Sequence, residues 1–543
     1  MTLTLAIDER LTADPRYAET LAELVDERVA SRIFALDASL WGADAEAEAA
    51  ARLGWTDFAA GADEAIGRVS GMRERFAEDG VDRIVLCGMG GSSLAPAVIA
   101  RWAGVPLTVL DSTHPEVVAR ALADDLARTA VVISSKSGTT IETQSHRAAF
   151  ERAFAEAGID ASRRVLVVTD PGSPLERAAA DAGQAVCNAD PDVGGRFSAL
   201  TAFGLIPAGL AGADIAALVA EAQAVREALA QDSPDNPALR LAAAISCGLP
   251  GRYVLGITAA DDANWGFGTW IEQLVAESTG KDGRGVLPIS LPDRAPELSR
   301  HADTQLLIEI RDARATDVEE HEGIVVQAAL GAQFLLWEVA TAALGRIMGI
   351  DPFNQPDVES AKVAARAVLA DPAGHPEPVG TPLAGVPGAT LLATPAGVDS
   401  PASAAEIIAA IAEMIPEGGY LAIQAYLDPE TPARDSLHEL RDQLAEHLTV
   451  PVALGWGPRY LHSTGQLHKG GPALGAFLQL CDGSLGSLPI PGTGGSFETL
   501  IAAQARGDRA VLEERGRPVL ALSLTEPAGV LRQLAEAAAR HTA

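Results

Sequence analysis

The chain has 543 residues, of which 48% are hydrophobic and only 4% aromatic, and its formal charge is 41 minus 73, or −32. That length exceeds what one hydrophobic core sustains, so two to four units of about 100–200 residues are expected, with cores of Ala, Leu, Val and Ile. The composition excludes a disordered chain, and the charge argues against nucleic-acid or anionic-membrane partners.

An anionic substrate would therefore have to be captured locally, which singles out any Lys or Arg set in a Gly-, Ser- or Thr-rich loop. Cys87, Cys187, Cys247 and Cys481 are scattered among apolar neighbours with no CxxC pair, the pattern of reduced core residues in a cytoplasmic protein. Asp8, Glu9 and Arg10 interrupt the start of the chain before any signal-like apolar run. No membrane span is expected, because Gln327, Gln333, Glu338 and Arg346 break the apolar run from Ile324 to Ile350, which reads as a buried core helix.

In chain order, residues 1–60 read as an N-terminal helical segment. Short β-branched runs then alternate with Ala-rich helical stretches: Arg83 to Cys87, Pro106 to Leu110, Ala130 to Ser134 and Arg164 to Val168. This rhythm predicts a doubly wound α/β domain with a parallel sheet over 61–212, whose ligands bind beyond the carboxyl ends of the strands.

The first run leads into Gly88-Met-Gly-Gly-Ser-Ser-Leu94, a turn that presents free amides at a helix start, although plain packing geometry explains such a turn as often as a ligand does. The third run ends in Ser134-Ser-Lys-Ser-Gly-Thr-Thr140, with five hydroxyls and one ammonium at a second helix start. Phosphate is the natural guest there, with one or two of the hydroxyls acting only as caps. Gly194-Gly-Arg-Phe-Ser198 sets Arg196 to reach an oxyanion or, equally, to tie down a loop.

A second α/β domain is expected over 213–368, with strands around Tyr253 to Ile257 and Gln305 to Ile310. In Gln273-Leu-Val-Ala-Glu-Ser-Thr-Gly-Lys281, Gln273 and Glu277 stand four apart on one face of an amphipathic helix, where an enclosed carboxylate would serve as a general base. Asp351 to Lys362 combines turn residues with a helix start at Asp357, and its spacing alone does not single out Lys362.

A linker is expected over 369–388, where Asp371 to Gly388 holds five prolines. Residues 389–543 form a third α/β unit. Its Tyr460-Leu-His-Ser-Thr-Gly-Gln-Leu-His-Lys-Gly-Gly-Pro472 segment reads as a loop between strands holding two of the ten histidines. No HExxH or Cys-rich segment accompanies them, so no metal is expected.

Taken in order, the blocks Gly-x-Gly-Gly-Ser, Ser-Lys-Ser-x-x-Thr, Gly-Gly-Arg-Phe-Ser, Gln-x-x-x-Glu-Ser-x-Gly-Lys and Phe-Asn-Gln-x-x-Val-Glu-x-x-Lys resemble those of the phosphoglucose isomerase family. The likeness spans Gly88 to Lys362. The third unit is similar to the isomerase half of transaldolase and isomerase fusion proteins.

The resemblance implies two sugar-isomerase (SIS) domains plus a C-terminal α/β unit. It further implies cofactor-free interconversion of glucose 6-phosphate and fructose 6-phosphate, in glycolysis and gluconeogenesis. Gly91 and Ser92 would lie beside the sugar, and Ser135, Lys136, Ser137 and Thr140 would hold the phosphate. Glu277 would move the proton between C2 and C1, and Arg196 would stabilise the enediolate. Gln273, Gln355 and Lys362 would complete the pocket.

The family's catalytic His block, contributed by the partner subunit in dimers, does not follow Glu277. The Ser-Thr-Gly-Gln-Leu-His468 segment resembles that block with one inserted residue, which makes His468 the expected ring-opening group, with His301 and His462 as alternatives. A homodimer and a monomer both stay open. Alternatives to this function are a dual phosphoglucose and phosphomannose isomerase and a non-catalytic sugar-phosphate-binding regulator.

Overall fold

The computed structural model describes residues 3–259, 266–315, 322–358, 363, 366–367 and 380–540. Three sheets organise them. Strand β1 (Thr4–Ile7) opens the chain and joins the second sheet. The first sheet comprises β2 (Arg83–Gly88), β3 (Thr108–Leu110), β4 (Thr129–Ser134), β5 (Val165–Thr169) and β6 (Ala185–Asn188). Its order is β3-β2-β4-β5-β6 with every pair parallel. Helices on both faces bury it, so β4 and β5 read as unbroken apolar runs rather than as alternation.

Two helices leave this sheet at its switch point, where the strand order reverses between β2 and β4: α1 (Leu94–Trp102) follows β2, and α2 (Ile141–Glu156) follows β4. This is the crevice in which open α/β sheets bind ligands.

The second sheet adds β7 (Val254–Ala259), β8 (Leu287–Ser290), β9 (Gln305–Asp312) and β10 (Ile324–Ala328) in the order β1-β10-β9-β7-β8. All its pairs are parallel except that of β1 with β10. Between β7 and β8 runs α3 (Phe267–Thr279), and after β10 comes α4 (Leu330–Met348).

Two expectations change here. The N-terminal segment is not purely helical, since β1 edges the second sheet. The apolar run from Ile324 to Ile350 divides into strand β10 and helix α4, because a buried strand and a buried helix are equally apolar on all sides.

The third sheet contains β11 (Thr381–Pro382), β12 (Ala389–Ala393), β13 (Tyr420–Tyr426), β14 (Val452–Trp456), β15 (Gly475–Asp482) and β16 (Val519–Leu524), in the order β11-β12-β16-β15-β13-β14. Strands β13 to β16 pair in parallel, and β12 runs antiparallel to β16. Helices α5 (Ala433–Leu448), α6 (Gly465–Gly470) and α7 (Phe497–Glu514) attach to it. One continuous core joins the first two sheets, and a separate apolar cluster fills the third unit. Among the described residues no helix is long and apolar enough to cross a membrane.

Candidate active site

The glycine turn after β2 is bare because two other backbone segments close on it. Gly90 has φ +55°, and a Cβ there would stand 2.6 Å from the His462 carbonyl oxygen and 2.8 Å from Gln273 Nε2. A Cβ on Gly91 would run into the backbone of Gly195. The turn at Gly90–Ser92, the turn at Gly195–Phe197 and the turn at Arg459–His462 thus meet in one place, each from a different part of the chain.

Glu277 and Gln273 enter this junction from α3. Both are buried, and the expected amphipathic helix is enclosed on almost every side along its second half. Gln273 Nε2 donates to Glu277 Oε2 at 3.1 Å and to the His462 carbonyl at 2.8 Å. Its Oε1 is buried without a partner among the described residues.

Arg196, 3% exposed, brings its guanidinium within 3.7 Å of Glu277 Oε1. The fork is held from below: Nε donates to Ser278 Oγ at 2.8 Å, Nη1 to Gln355 Oε1 at 2.8 Å, and Nη2 to the carbonyls of Pro352 at 2.6 Å and Asn354 at 3.1 Å. Burial lowers the Arg196 pKa, and Glu277 and Asp351 oppose that shift. Lys281 pins the same loop, its ammonium reaching the carbonyls of Asp351 at 2.6 Å and Asn354 at 2.7 Å and the Asn354 Oδ1 at 2.9 Å. Burial pulls its pKa to about 7. Lys362 lies outside the described residues.

Beyond β4, Ser135 Oγ and Thr140 Oγ1 share a hydrogen bond of 3.0 Å, and Ser137 Oγ pairs with Thr139 Oγ1 at 2.9 Å. Thr140 caps α2, whose first amides face this loop and favour an anion. Ser92, nearly buried, makes no side-chain hydrogen bond among the described residues.

The Lys136 ammonium, at the same loop, donates to Asp170 Oδ2 at 2.6 Å and to the Pro191 carbonyl at 3.0 Å, which braces the loop against the end of β5. Thr143, which the sequence reading passed over, is buried with a hydroxyl that has no partner among the described residues. It lies three residues past Thr140, hence on the same helical face, and that spacing was the available signal.

The histidine assignment also changes. His468 is buried in α6, hydrogen-bonded through Nδ1 to Tyr420 OH at 2.9 Å and packed against Tyr420 and Phe477. Burial lowers its pKa to about 3, so it stays neutral at any ordinary pH. His301 precedes β9 at the amino end of that strand, away from the carboxyl ends where the other groups gather.

His462 is the histidine at the junction. Its Nε2 lies 3.0 Å from Glu142 Oε1, on the first turn of α2. Gln504 Nε2 donates to the same oxygen at 2.7 Å, and Thr113 Oγ1 donates to Gln504 Oε1 at 2.7 Å. A carboxylate accepting at Nε2 fixes the tautomer and frees Nδ1 for other partners. Through His462, the helix that begins at the Ser/Thr loop and the helix that carries Glu277 are joined.

Two buried neutral histidines make stability pH-dependent. The pKa values of about 3 for His468 and about 4 for His146, both depressed chiefly by burial, lie below the unfolded value of about 6.5. The unfolded chain therefore takes up protons first on acidification. The stability from these groups is complete above about pH 6.5 and is lost progressively down to about pH 4 for His146 and about pH 3 for His468. His468→Gln is expected to flatten part of that loss, read as the shift in urea midpoint between pH 7 and pH 5.

Comparison with known proteins agrees with the geometry. The phosphoglucose isomerase family model matches residues 66–285. A probable glucose-6-phosphate isomerase of Haloarcula marismortui is 32% identical over 343 residues, 53% of this chain and 78% of the relative. The glucose-6-phosphate isomerase of Thermus thermophilus is 31% identical over 388 residues, 60% of this chain and 91% of the relative.

The chain belongs to the phosphoglucose isomerase family.

Among solved structures, a hypothetical protein of Thermus thermophilus, TT0462, superposes with a TM-score of 0.57 at 26% identity, covering 68% of this chain and all of that one. A glucose-6-phosphate isomerase of Chlamydia trachomatis shares the fold, with a TM-score of 0.52 at 19% identity, covering 69% and 90% of the two chains. The family fold places Glu277, Gln273, Arg196 and the Ser/Thr loop on the first two sheets, and the third sheet brings His462 to them.

Proposed function

We propose that the chain is a glucose-6-phosphate isomerase that interconverts glucose 6-phosphate and fructose 6-phosphate through a cis-enediolate, the step shared by glycolysis and gluconeogenesis. One observation carries this reading: a buried carboxylate, Glu277, faces a buried guanidinium, Arg196, at 3.7 Å, with the loop of His462 closing over the amide beside them.

The Ser135, Ser137 and Thr140 hydroxyls and the α2 amides hold the phosphate, with Ser92 beside the sugar. His462, oriented by Glu142, moves the proton between O1 and O5 that opens the ring. Glu277 takes the C2 proton of the open-chain aldose and returns it to C1. The charge that accumulates on the enediolate oxygens faces Arg196, which is already fixed by four hydrogen bonds and needs no reorganisation. The hydroxyl proton of O2 passes to O1 as the C2 hydrogen passes to C1, so the isomerisation is neutral in protons and electrons and needs no added oxidant or reductant.

The direct test is conversion of fructose 6-phosphate to glucose 6-phosphate in metal-free buffer. Activity supports the assignment, whereas an inactive protein that still binds the phosphosugar would move it to a regulator. The role of His462 is separable. His462→Asn is expected to slow turnover of the cyclic hexose phosphate by about a hundredfold. Proton exchange at C2 of erythrose 4-phosphate, whose phosphorylated O4 prevents ring closure, should stay near the wild-type rate. Equal losses on both substrates would remove His462 from ring opening.

A further inference from the structure

A cavity of about 690 Å³ lies away from Glu277. It lies beyond the carboxyl ends of β7, β8 and β9, walled by Ile257, Ser290 and Ile310 from the second sheet, by α1 of the first domain and by α5 and β14 of the third unit. Strand order in the second sheet reverses at β7, which has β8 on one side and β9 on the other. A reversal of this kind opens a crevice for ligands in a doubly wound sheet. The catalytic cleft uses the reversal in the first sheet, so the second one is left without a role in isomerisation. The volume falls in the range of pockets that hold small metabolites, roughly 300–1,000 Å³.

The chemistry of the wall is unusual for a chain of charge −32. Three guanidiniums come to this cavity from three elements: Arg101 from α1, Arg434 from α5 and Arg459 from the turn before His462. The side chains of Arg101 and Arg434 make no hydrogen bond or ion pair among the described residues, and Arg459 stands 3.8 Å from Asp111 Oδ2. Burial and the like charges of Arg459 and Arg434 pull the Arg101 pKa down, against the attraction of Asp111.

Of the four acids that line the cavity, Asp111, Glu272, Asp293 and Glu430, two are drawn off from the cluster. Glu430 is bound to Arg120 at 2.9 Å, and Glu272 accepts from the Ser290 amide at 2.7 Å while burial raises its pKa to about 7. Arg441 is taken by Glu297 and Asp442. Arg101 and Arg434, which repel each other and lack carboxylate partners among the described residues, store unfavourable energy that an anion would relieve.

We infer that this cavity is a second binding site, distinct from the catalytic cleft, for a small multiply charged phosphorylated metabolite whose anionic groups are clamped by Arg101, Arg434 and Arg459. The hydroxyls of Ser112, Thr258 and Ser290 and the half-buried Asp111 line the same space and suit the hydroxyls of a sugar or polyol. Helix α3 serves both sites. Gly268 and Glu272, four apart, face the cavity, whereas Gln273 and Glu277 lie about 100° further round and face the catalytic cleft.

The test is calorimetric titration of the full chain with inorganic pyrophosphate in saturating fructose 6-phosphate, which keeps the catalytic cleft occupied. The wild type is expected to bind one pyrophosphate. Arg101→Ala combined with Arg434→Ala should weaken that binding at least about tenfold, the loss of one charge-assisted contact or more. Neither side chain has a hydrogen-bond or ion-pair partner among the described residues, so folding and the KM for fructose 6-phosphate should hold within about twofold of the wild type. Arg434→Glu, which inverts one charge, should abolish binding. Absence of pyrophosphate binding in the wild type, or unchanged binding in the double variant, overturns the inference.

Discussion

Replacing Glu277 with Gln is expected to reduce kcat for fructose 6-phosphate isomerisation by about three to four orders of magnitude while KM changes by no more than a few-fold. The substitution keeps the volume and one hydrogen-bond acceptor of the side chain, and Gln273 Nε2 can still donate to it as it does now at 3.1 Å. What is lost is the basic oxygen. Steady-state kinetics measure the drop, and exchange of the C2 hydrogen of glucose 6-phosphate with deuterated solvent localises it to proton transfer. A variant retaining more than about a tenth of wild-type kcat would show that another group abstracts the proton, since general-base catalysis is worth at least about a hundredfold.

Arg196→Ala is the second large effect, and it is twofold. On the proposed mechanism, removing the guanidinium takes away the charge facing the enediolate, for an expected loss of about a hundred- to a thousandfold in kcat. It also leaves Ser278, Gln355 and the carbonyls of Pro352 and Asn354 without their donor. The protein should lose roughly 3 kcal/mol of stability, because these groups are buried or partly buried and Glu277 loses the guanidinium 3.7 Å from it. Urea denaturation reads the second effect independently of the first. Arg196→Lys separates them further: the charge returns without the fork, so part of the rate should recover while the loop from Pro352 to Gln355 stays under-bonded. If Arg196→Lys restored stability but not rate, planarity rather than charge would be the requirement at the enediolate.

The parts of this architecture that were legible in the sequence are those with a short-range physical cause. Strands β2, β4 and β5 are fully buried apolar runs that end in glycine or hydroxyl-rich turns, and such runs announce both the strand and the crevice beyond it. Gln273 and Glu277 share a helical face by simple periodicity.

What escaped depended on partners far away in the chain. Strand β1 has four residues and acquires its role by pairing with β10, more than 300 positions later. Glu142 is one helical glutamate among many until His462 meets it, 320 residues on. His468 fitted the expected spacing better than His462, but its ring is enclosed by Tyr420 and Phe477, and only the packing of the third unit reveals that. Lys136 sits among hydroxyls in sequence, yet Asp170, at the end of the neighbouring strand, takes its charge.

The turn that carries His462 belongs to the same polypeptide as α3, and its carbonyl is bonded to Gln273 there. On the proposed roles, the group that opens the ring and the group that moves the carbon-bound proton cannot be parted by dilution. Specific activity should then stay constant down to arbitrarily low enzyme concentration, and the relative placement of the two groups is inherited with the fold of each chain rather than negotiated at every encounter between chains.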